Sequence, residues 1–466
     1  MKSIHIVSKN YKQNAILFLV VLFSMVSCEE FLEPNMPDNQ LIGKVVFEDA
    51  ATVEAAFAYI YAELRENALT TGKSTGISYL MGLYSDELEH PGTGDLETRS
   101  FYDNSILASS NAVLILWNTS YNIVYTANRI LEGVGSSESL TQIEKDRFIG
   151  EAYFIRAYIH FYLYNLFGEI PYIKTSDYRK NQIVSRLDKK LIYQNLIEDL
   201  LKSKELLLVG DNDNLHFRPD YWVVSAFLSR VYLYNGDWQL AYNESKAVIN
   251  ESDYALESTT DGVFLKNSTE TLWQLDTRYP GYNTHEAYNF VIVSGPPTRA
   301  TLSQTFLESF EVNDLRFNDW VGAFSNEQGT WYFPNKYKLY SATDSTEEYA
   351  ILFRLPELYL IAAESSAELG YSDEALGHLN AIRFRSGLLQ LDGLDKNEIL
   401  EAIIQERRIE FFSEQGHRFF DLKRKERADY VLGLIKPYWN VTDISLPIPE
   451  LELVKNQNLL PQNDGY

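Results

Sequence analysis

The sequence predicts a mainly α-helical protein, with helical hairpins packed against a loop-rich region that carries a few short strands. Three observations carry that prediction. Residues 147–167, "RFIGEAYFIRAYIHFYLYNLF", place aromatic side chains at Tyr153, Phe154, Tyr158, Phe161, Tyr162 and Tyr164, close to helical period. Two later segments, 221–250 and 358–384, share one internal spacing of small and apolar residues. Between them, residues 251–349 lose the pattern, and Gly and Pro gather at 280–297, with a smaller cluster at 91–94.

The chain begins with Lys2, Lys9 and Lys12 ahead of an uncharged apolar run at 15–23, "AILFLVVLF". A membrane-spanning helix needs about 20 apolar residues, so this run is too short. Its flanks are those of a secretory signal, and residues 1–27 are set apart from the fold on that ground. Cys28, the only cysteine, follows Met25, Val26 and Ser27. The stretch resembles a bacterial lipobox, with Met25 where Leu is usual and Ser27 where Gly or Ala is commoner. A lone cysteine cannot form an intramolecular disulfide, and it leaves dithiol redox chemistry and cysteine-based zinc sites without their residues. Lipidation of Cys28 is the expected use, and a stray cysteine behind an ordinary signal is the alternative. Residues 28–466 then read as a single domain, long enough to bury a large core.

Composition narrows the partners. The formal charge is −24, from 41 basic and 65 acidic residues, and loss of the signal removes three lysines and no acid. Such a polyanion repels nucleic-acid phosphates and anionic lipid headgroups, so nucleic acid is excluded as a partner. The 32 Tyr, 25 Phe and 7 Trp must mostly serve the core, because hydrophobic residues as a whole reach only an ordinary 45%.

The helical reading then proceeds along the chain. Helical hairpins are expected over about 44–250 and 350–425, a loop-rich insert over about 251–349, and a C-terminal tail over 426–466. Gly168 and Pro171 stop the aromatic helix. In the first patterned segment Ser229 is followed by Gly236, Ala241, Ser245 and Val248; in the second, Ala363 is followed by Gly370, Ala375, Leu379 and Ile382. The offsets agree at +7, +12, +16 and +19, the grammar of a tetratricopeptide-like hairpin in which small residues let two helices approach and Gly turns the chain. Two copies do not make a stable array, so they are expected to dock on other parts of the domain. In the insert, "TLWQLD" reads as a strand, and residues 329–340, "GTWYFPNKYKLY", read as a strand pair. Ligand contact is expected here and in early loops at 70–105, since loops on a rigid frame commonly carry function.

Five blocks, in order, resemble the SusD/RagB family of starch-utilisation-type outer-membrane lipoproteins. They are "CEEFLE"; residues 150–173, "GEAYFIRAYIHFYLYNLFGEIPYI"; "FLSRVYLYNGDWQLA"; "RLPELYLIAAESSAELG" with "LNAIRFRSG" and "ERRIEFFSEQGHRFFDLKR"; and "LPIPELELVKNQNLLPQNDGY". Pro356 and Ser365 depart from the small residues more usual there, which leaves the local helix geometry open. The resemblance implies a non-enzymatic surface lipoprotein that binds oligosaccharides and delivers them to a SusC-type TonB-dependent transporter. No cofactor or metal is implied. Glu29 and Glu30 resemble the surface-export signal of such proteins. A peptide-binding member of the same family is the alternative, and an envelope scaffold or a glycoside hydrolase stands further off. A scaffold would need no exposed aromatic cleft; a hydrolase would need two carboxylates roughly 5–10 Å apart in one cleft.

Sugars present apolar C–H faces edged with hydroxyls, so a glycan binder needs exposed rings beside hydrogen-bonding side chains. The candidate residues are Tyr279, Tyr282, Asn283, Tyr288, Arg299, Trp331 and Tyr332 in the insert, with His285 and Asn289 as neighbours, and Tyr102 with Asp103 and Asn104 from the early segment. At least two of these rings should share one solvent-facing concavity. Trp117 falls on a helical apolar pattern and reads as core, while Glu151, Arg156 and Arg407 read as paired structural charges. Several catalytic look-alikes fail. Residues 71–75, "TGKST", lack the first glycine of a phosphate loop; "HEAYN" lacks a second zinc-binding histidine; and residues 211–217, "DNDNLHF", lack a calcium-loop ligand and the turn glycine.

Overall fold

Side-chain caps fix where most of the long helices begin. The computed structural model describes residues 47–92, 95–207 and 215–466; the signal segment, Cys28 and most of "DNDNLHF" lie outside the described residues. Among the described residues, nine helices reach fourteen residues or more: α1 (Ala50–Glu66), α2 (Asn111–Gly135), α3 (Gln142–Phe167), α4 (Lys189–Leu206), α5 (Tyr221–Asn235), α6 (Trp238–Glu251), α7 (Leu355–Leu369), α8 (Ser372–Arg385) and α9 (Lys396–Glu410). Asp49, Ser110, Asp188 and Asp220 each accept from a backbone N–H in the first turn, and Thr141 with Glu144 forms a capping box on α3. Pro356 sits in the first turn of α7, where its missing N–H costs nothing, so this departure from the family pattern leaves the helix intact.

Successive helices pack side by side from α2 to α6. The array then continues across the insert, because α6 packs on α7, and α7 on α8 and α9. The two patterned hairpins therefore dock directly on each other, and α2–α4 lengthen the array without carrying the small-residue spacing. All eight patterned helix positions, from Ser229 to Val248 and from Ala363 to Ile382, are 0% exposed. Gly236 and Gly370 end their helices in the left-handed region, at φ +87° and +88°, with matching turn hydrogen bonds. Only glycine adopts that conformation without strain, which is why both copies keep it.

Six short strands among the described residues form three antiparallel pairs: β1 (Leu88–Glu89) with β3 (Thr301–Leu302), β2 (Thr271–Leu275) with β6 (Ala350–Arg354), and β4 (Val321–Asn326) with β5 (Gly329–Pro334). The β2–β6 pair closes the base of the insert and returns the chain to the array where it left. Trp273 of β2 is fully buried, its ring 5.1 Å from Phe154, 5.0 Å from Tyr158 and 5.7 Å from Phe353. The expected strand pair within 329–340 is corrected. Only 329–334 is a strand, its partner is the upstream β4, and Pro334 marks the end of the ladder. The early segment is corrected too: residues 77–84 form a helix with all eight residues buried, and a segment with no polar face shows no period to read.

Phe47–Tyr466 form one compact unit, and buried ion pairs hold its parts together. Glu410, at the end of α9, meets Arg354 of β6, Arg385 of α8 at 2.6 Å and Arg316 of the insert at 2.9 Å. Arg385 also holds Glu270 at 2.6 Å, and Lys336 donates to the Glu410 carbonyl at 2.7 Å. Burial pushes the Glu410 carboxyl upward, but the guanidinium groups of Arg385, Arg354 and Arg316 outweigh it and hold it well below the usual range. Elsewhere Arg156 forks onto Asp199, Glu151 takes Arg218 and Tyr61, and Arg407 pairs with Asp421. These three charges are structural. The C-terminal tail straps back: Gln462 pairs with both backbone groups of Ile448, and Asn463 donates to the carbonyls of Phe167 and Leu446.

Two predictions follow from burial. Glu410→Ala removes the one carboxylate that three buried guanidinium groups share, leaving Arg316 to Asp314 and Glu406, Arg354 to Glu414 and Arg385 to Glu270, and should cost about 3 kcal/mol in urea unfolding. His160 is buried and neutral, its Nδ1–H donating to the Arg156 carbonyl while Nε2 accepts from the Ile173 N–H. Burial lowers it from 6.5 to about 3, so the unfolded chain takes up the proton first as pH falls. This contribution to stability is whole above pH ~6.5 and declines toward pH ~3, by at most about 1.4 kcal/mol per pH unit. Unfolding titrations of His160→Gln should show a correspondingly shallower pH dependence across that window.

Candidate functional site

The chain leaving β2 makes a tight excursion, 276–284, before a short helix His285–Phe290 capped by Thr284. Two devices pin this excursion to the segment 341–348. Gly281, at φ +80°, lies so close to Thr343 that a Cβ would approach its carbonyl to 2.5 Å. Asn283 uses its whole amide: Nδ2 donates to Thr343 Oγ1 at 2.9 Å and to the Ser341 carbonyl at 3.4 Å, while Oδ1 accepts from the N–H groups of Glu347 and Glu348 at 3.0 and 3.1 Å. With the backbone fixed, the rings of Tyr279 and Tyr282 project outward, 50% and 55% exposed. They meet edge to face, centroids 5.6 Å apart, and the Arg278 guanidinium lies 5.1 Å from the Tyr279 centroid.

Tyr279, Tyr282 and Asn283 line one cavity of about 230 Å³. Its far wall comes from the end of α1 and the following turn, through Arg65, Glu66, Thr70 and Gly72, and its remaining lining includes Asp276, His285 and Glu286. Burial raises the Glu66 carboxyl, yet hydrogen bonds from Lys73 and Arg65 prevail and bring it to about 2. Burial lowers His285 below its ordinary value against the opposing pull of Glu66, whose Oε2 lies 3.1 Å from the ring nitrogen. Burial also raises Glu286 to about 7. The cavity thus combines a two-ring platform with an anchored carboxylate, an imidazole and a guanidinium, a surface suited to a ligand with apolar faces and hydroxyl edges.

The other candidate residues lie apart from this cavity. Arg299 stacks 4.7 Å over Tyr288, donates to its carbonyl, and lines a separate hollow of about 130 Å³. Trp331 is half-buried, stacks on Phe324, and covers Gly295, where a Cβ would come within 2.4 Å of the ring. Tyr332, next along β5, faces the opposite side of the hairpin, as alternation requires. Tyr102 packs beneath the Lys436 ammonium, 4.0 Å from its centroid. Asn104 is buried and donates to the Tyr84 carbonyl at 3.1 Å.

Sequence reading missed Arg65 and Glu66, because their place opposite the tyrosines depends on β2 and β6 bringing the insert back to α1. Lys73, within the rejected phosphate-loop look-alike, bonds Glu66 at 2.8 Å. Among the described residues no cluster of three or more His, Cys, Asp or Glu could hold a metal ion.

Comparison with known proteins places this architecture. A family described as starch-binding and associating with the outer membrane matches residues 33–233, and the SusD family matches residues 318–466. The chain belongs to the SusD/RagB family. It is similar along nearly its whole length to SusD-like protein P2 of Formosa agariphila, at 29% identity covering 98% of this chain and all of that one. SusD-like protein P25 of the same organism is 25% identical, covering 97% and 99%. Among solved structures, a SusD superfamily protein from Bacteroides vulgatus superposes with a TM-score of 0.78 at 21% identity over 90% of this chain and 100% of that one. A laminarin-binding SusD-like protein superposes with a TM-score of 0.74 at 22% identity, over 89% and 99%. In this SusD-family chain, the two matched segments carry most of the helical frame, though not α6, and the C-terminal strap. The tyrosine pair falls in the stretch between them.

The site separates platform from scaffold by mutation. Tyr279→Ala with Tyr282→Ala should leave the thermal midpoint within a degree or two of wild type, since both rings are exposed. Asn283→Ala should destabilise the insert by about 1–3 kcal/mol and speed proteolysis between 276 and 348, because it strands several backbone and side-chain groups at once.

Proposed function

We propose that the protein is a non-catalytic glycan-binding lipoprotein of the outer membrane, anchored through Cys28, which holds neutral oligosaccharide on the Tyr279–Tyr282 platform. It presents that ligand to a SusC-type TonB-dependent transporter, which supplies the energy for uptake. The observation that carries this reading is the pair of exposed tyrosine rings on the rim of a cavity whose backbone is pinned in place. Family membership supports it, as does the shared fold of a relative named for laminarin binding. Among the described residues no helix is long and apolar enough to cross a membrane, so attachment in this reading rests on the lipid. Three acyl chains on one cysteine would hold the protein firmly, where a single chain would not.

Affinity electrophoresis through laminarin, starch and other neutral polysaccharides tests the binding. At least one should retard the wild type, and Tyr279→Ala with Tyr282→Ala should weaken that affinity by roughly tenfold, the sum of two stacking contributions of about 0.5–1.5 kcal/mol. Retardation by none of them, together with tight binding of peptides, would overturn the reading. Palmitate labelling of wild type and Cys28→Ala checks the anchor, with label expected only in the former.

A further inference from the structure

A second concavity lies away from the insert, on the outer face of α2. Its volume is about 350 Å³, and it shares no lining residue with the tyrosine cavity. Trp117, Tyr121 and Tyr125 stand at every fourth position of α2, so their rings form a row along one helix face spanning about 12 Å. Trp117 and Tyr121 sit 4.9 Å apart, and the row ends in Tyr125, which is 49% exposed. The loop at Pro171–Ile173 and the C-terminal segment at Leu459 complete the apolar floor.

Trp117 packs against Phe167 as a core residue would and is only 4% exposed. Its indole N–H nevertheless makes no hydrogen bond among the described residues. Trp117 lines the groove, which is where a partner can reach that N–H. The side-chain amides of Asn118, Asn122 and Gln182, all lining the same groove, likewise make no hydrogen bond among the described residues. The charges on its rim cancel, since Glu452 and Lys455 pair at 2.7 Å. An aromatic row, uncommitted amides and no net charge match a neutral saccharide better than a charged peptide or a lipid headgroup.

From this geometry we infer a second saccharide site on α2, which takes a short run of neutral sugar rings stacked on Tyr121 and Tyr125, with Trp117 closing its inner end. Asn118, Asn122 and Gln182 bond the hydroxyls at its edges. The inference rests on the reading of the protein as a glycan binder but not on the insert cavity.

Calorimetry with laminarihexaose and maltohexaose tests it, using the wild type, Tyr125→Ala with Asn122→Ala, and Tyr279→Ala with Tyr282→Ala. All four positions are partly or fully exposed, so the variants should fold, and thermal unfolding verifies this. Two sites per chain are expected in the wild type for at least one sugar, with each double variant retaining one and losing the other at least fivefold. Loss of all binding in Tyr279→Ala with Tyr282→Ala, and wild-type binding in Tyr125→Ala with Asn122→Ala, would overturn the second site alone. The reverse pattern would remove the insert cavity and leave this groove standing. Absence of binding by either sugar, with a transporter-derived peptide bound at Tyr125 instead, would overturn both.

Discussion

Everything distinctive in this fold depends on a buried electrostatic knot around Glu410. A carboxylate taken out of water must be repaid by partners in good geometry, and here three guanidinium groups from three separate stretches of chain converge on it. Arg354 lies at the end of the insert's closing strand, Arg316 within the insert, and Arg385 on the second patterned hairpin. None can shift without stranding a charge, so the insert docks on the helical array in one register. An apolar patch of the same area would tolerate sliding; a charged one does not. Arg230 with Glu357 acts in the same way between α5 and α7, where the two patterned hairpins belong to one array although about a hundred residues separate them in sequence.

Rigidity at the base is what permits exposure at the rim. Tyrosine rings in water tend to fold back onto apolar neighbours, and holding two of them outward demands a backbone that cannot follow. Asn283 supplies that constraint by acting as a pseudo-strand partner to 341–348, and Gly281 allows the close approach it needs. The cavity wall is similarly preset. Glu66 is held ionised by Lys73 and Arg65, so it has no need to reorganise when a hydroxyl arrives. Pre-positioned rings and fixed acceptors lose little entropy when a ligand binds.

The array was legible in the sequence wherever it repeated. Ser229 and Ala363 head identical spacings because the same close helix contact and the same left-handed turn recur, and physics leaves few residues for either. Helices α2 to α4 join the array by aromatic and ionic contacts that have no fixed spacing, so their membership could be seen only in three dimensions. The site divides similarly. Exposed tyrosines in a Gly- and Pro-rich stretch advertise themselves, whereas Arg65 and Glu66 reach the cavity only through the β2–β6 closure. Asn104 and Asn283 have the same side chain in loop-like sequence, yet both serve the backbone. Nothing local separates an asparagine that binds ligand from one that replaces a strand. Trp117 shows the limit most sharply, since a residue can be core by burial and still line a groove.

A polysaccharide changes what affinity requires. Each proposed ring platform is small, and stacking with a few hydrogen bonds gives modest binding by itself. A long chain that touches two platforms on one protein makes its second contact intramolecularly, at an effective concentration set by the polymer's own stiffness. Avidity then exceeds either site without deepening either one, and it fades as the chain is shortened or drawn away from one platform. In the proposed role of collecting polymer and passing it to a transporter, that dependence on length is useful: capture is firm for the intact chain and loose for the segment being handed over. A single deep pocket of the same total affinity would hold the released fragment as tightly as the polymer it came from.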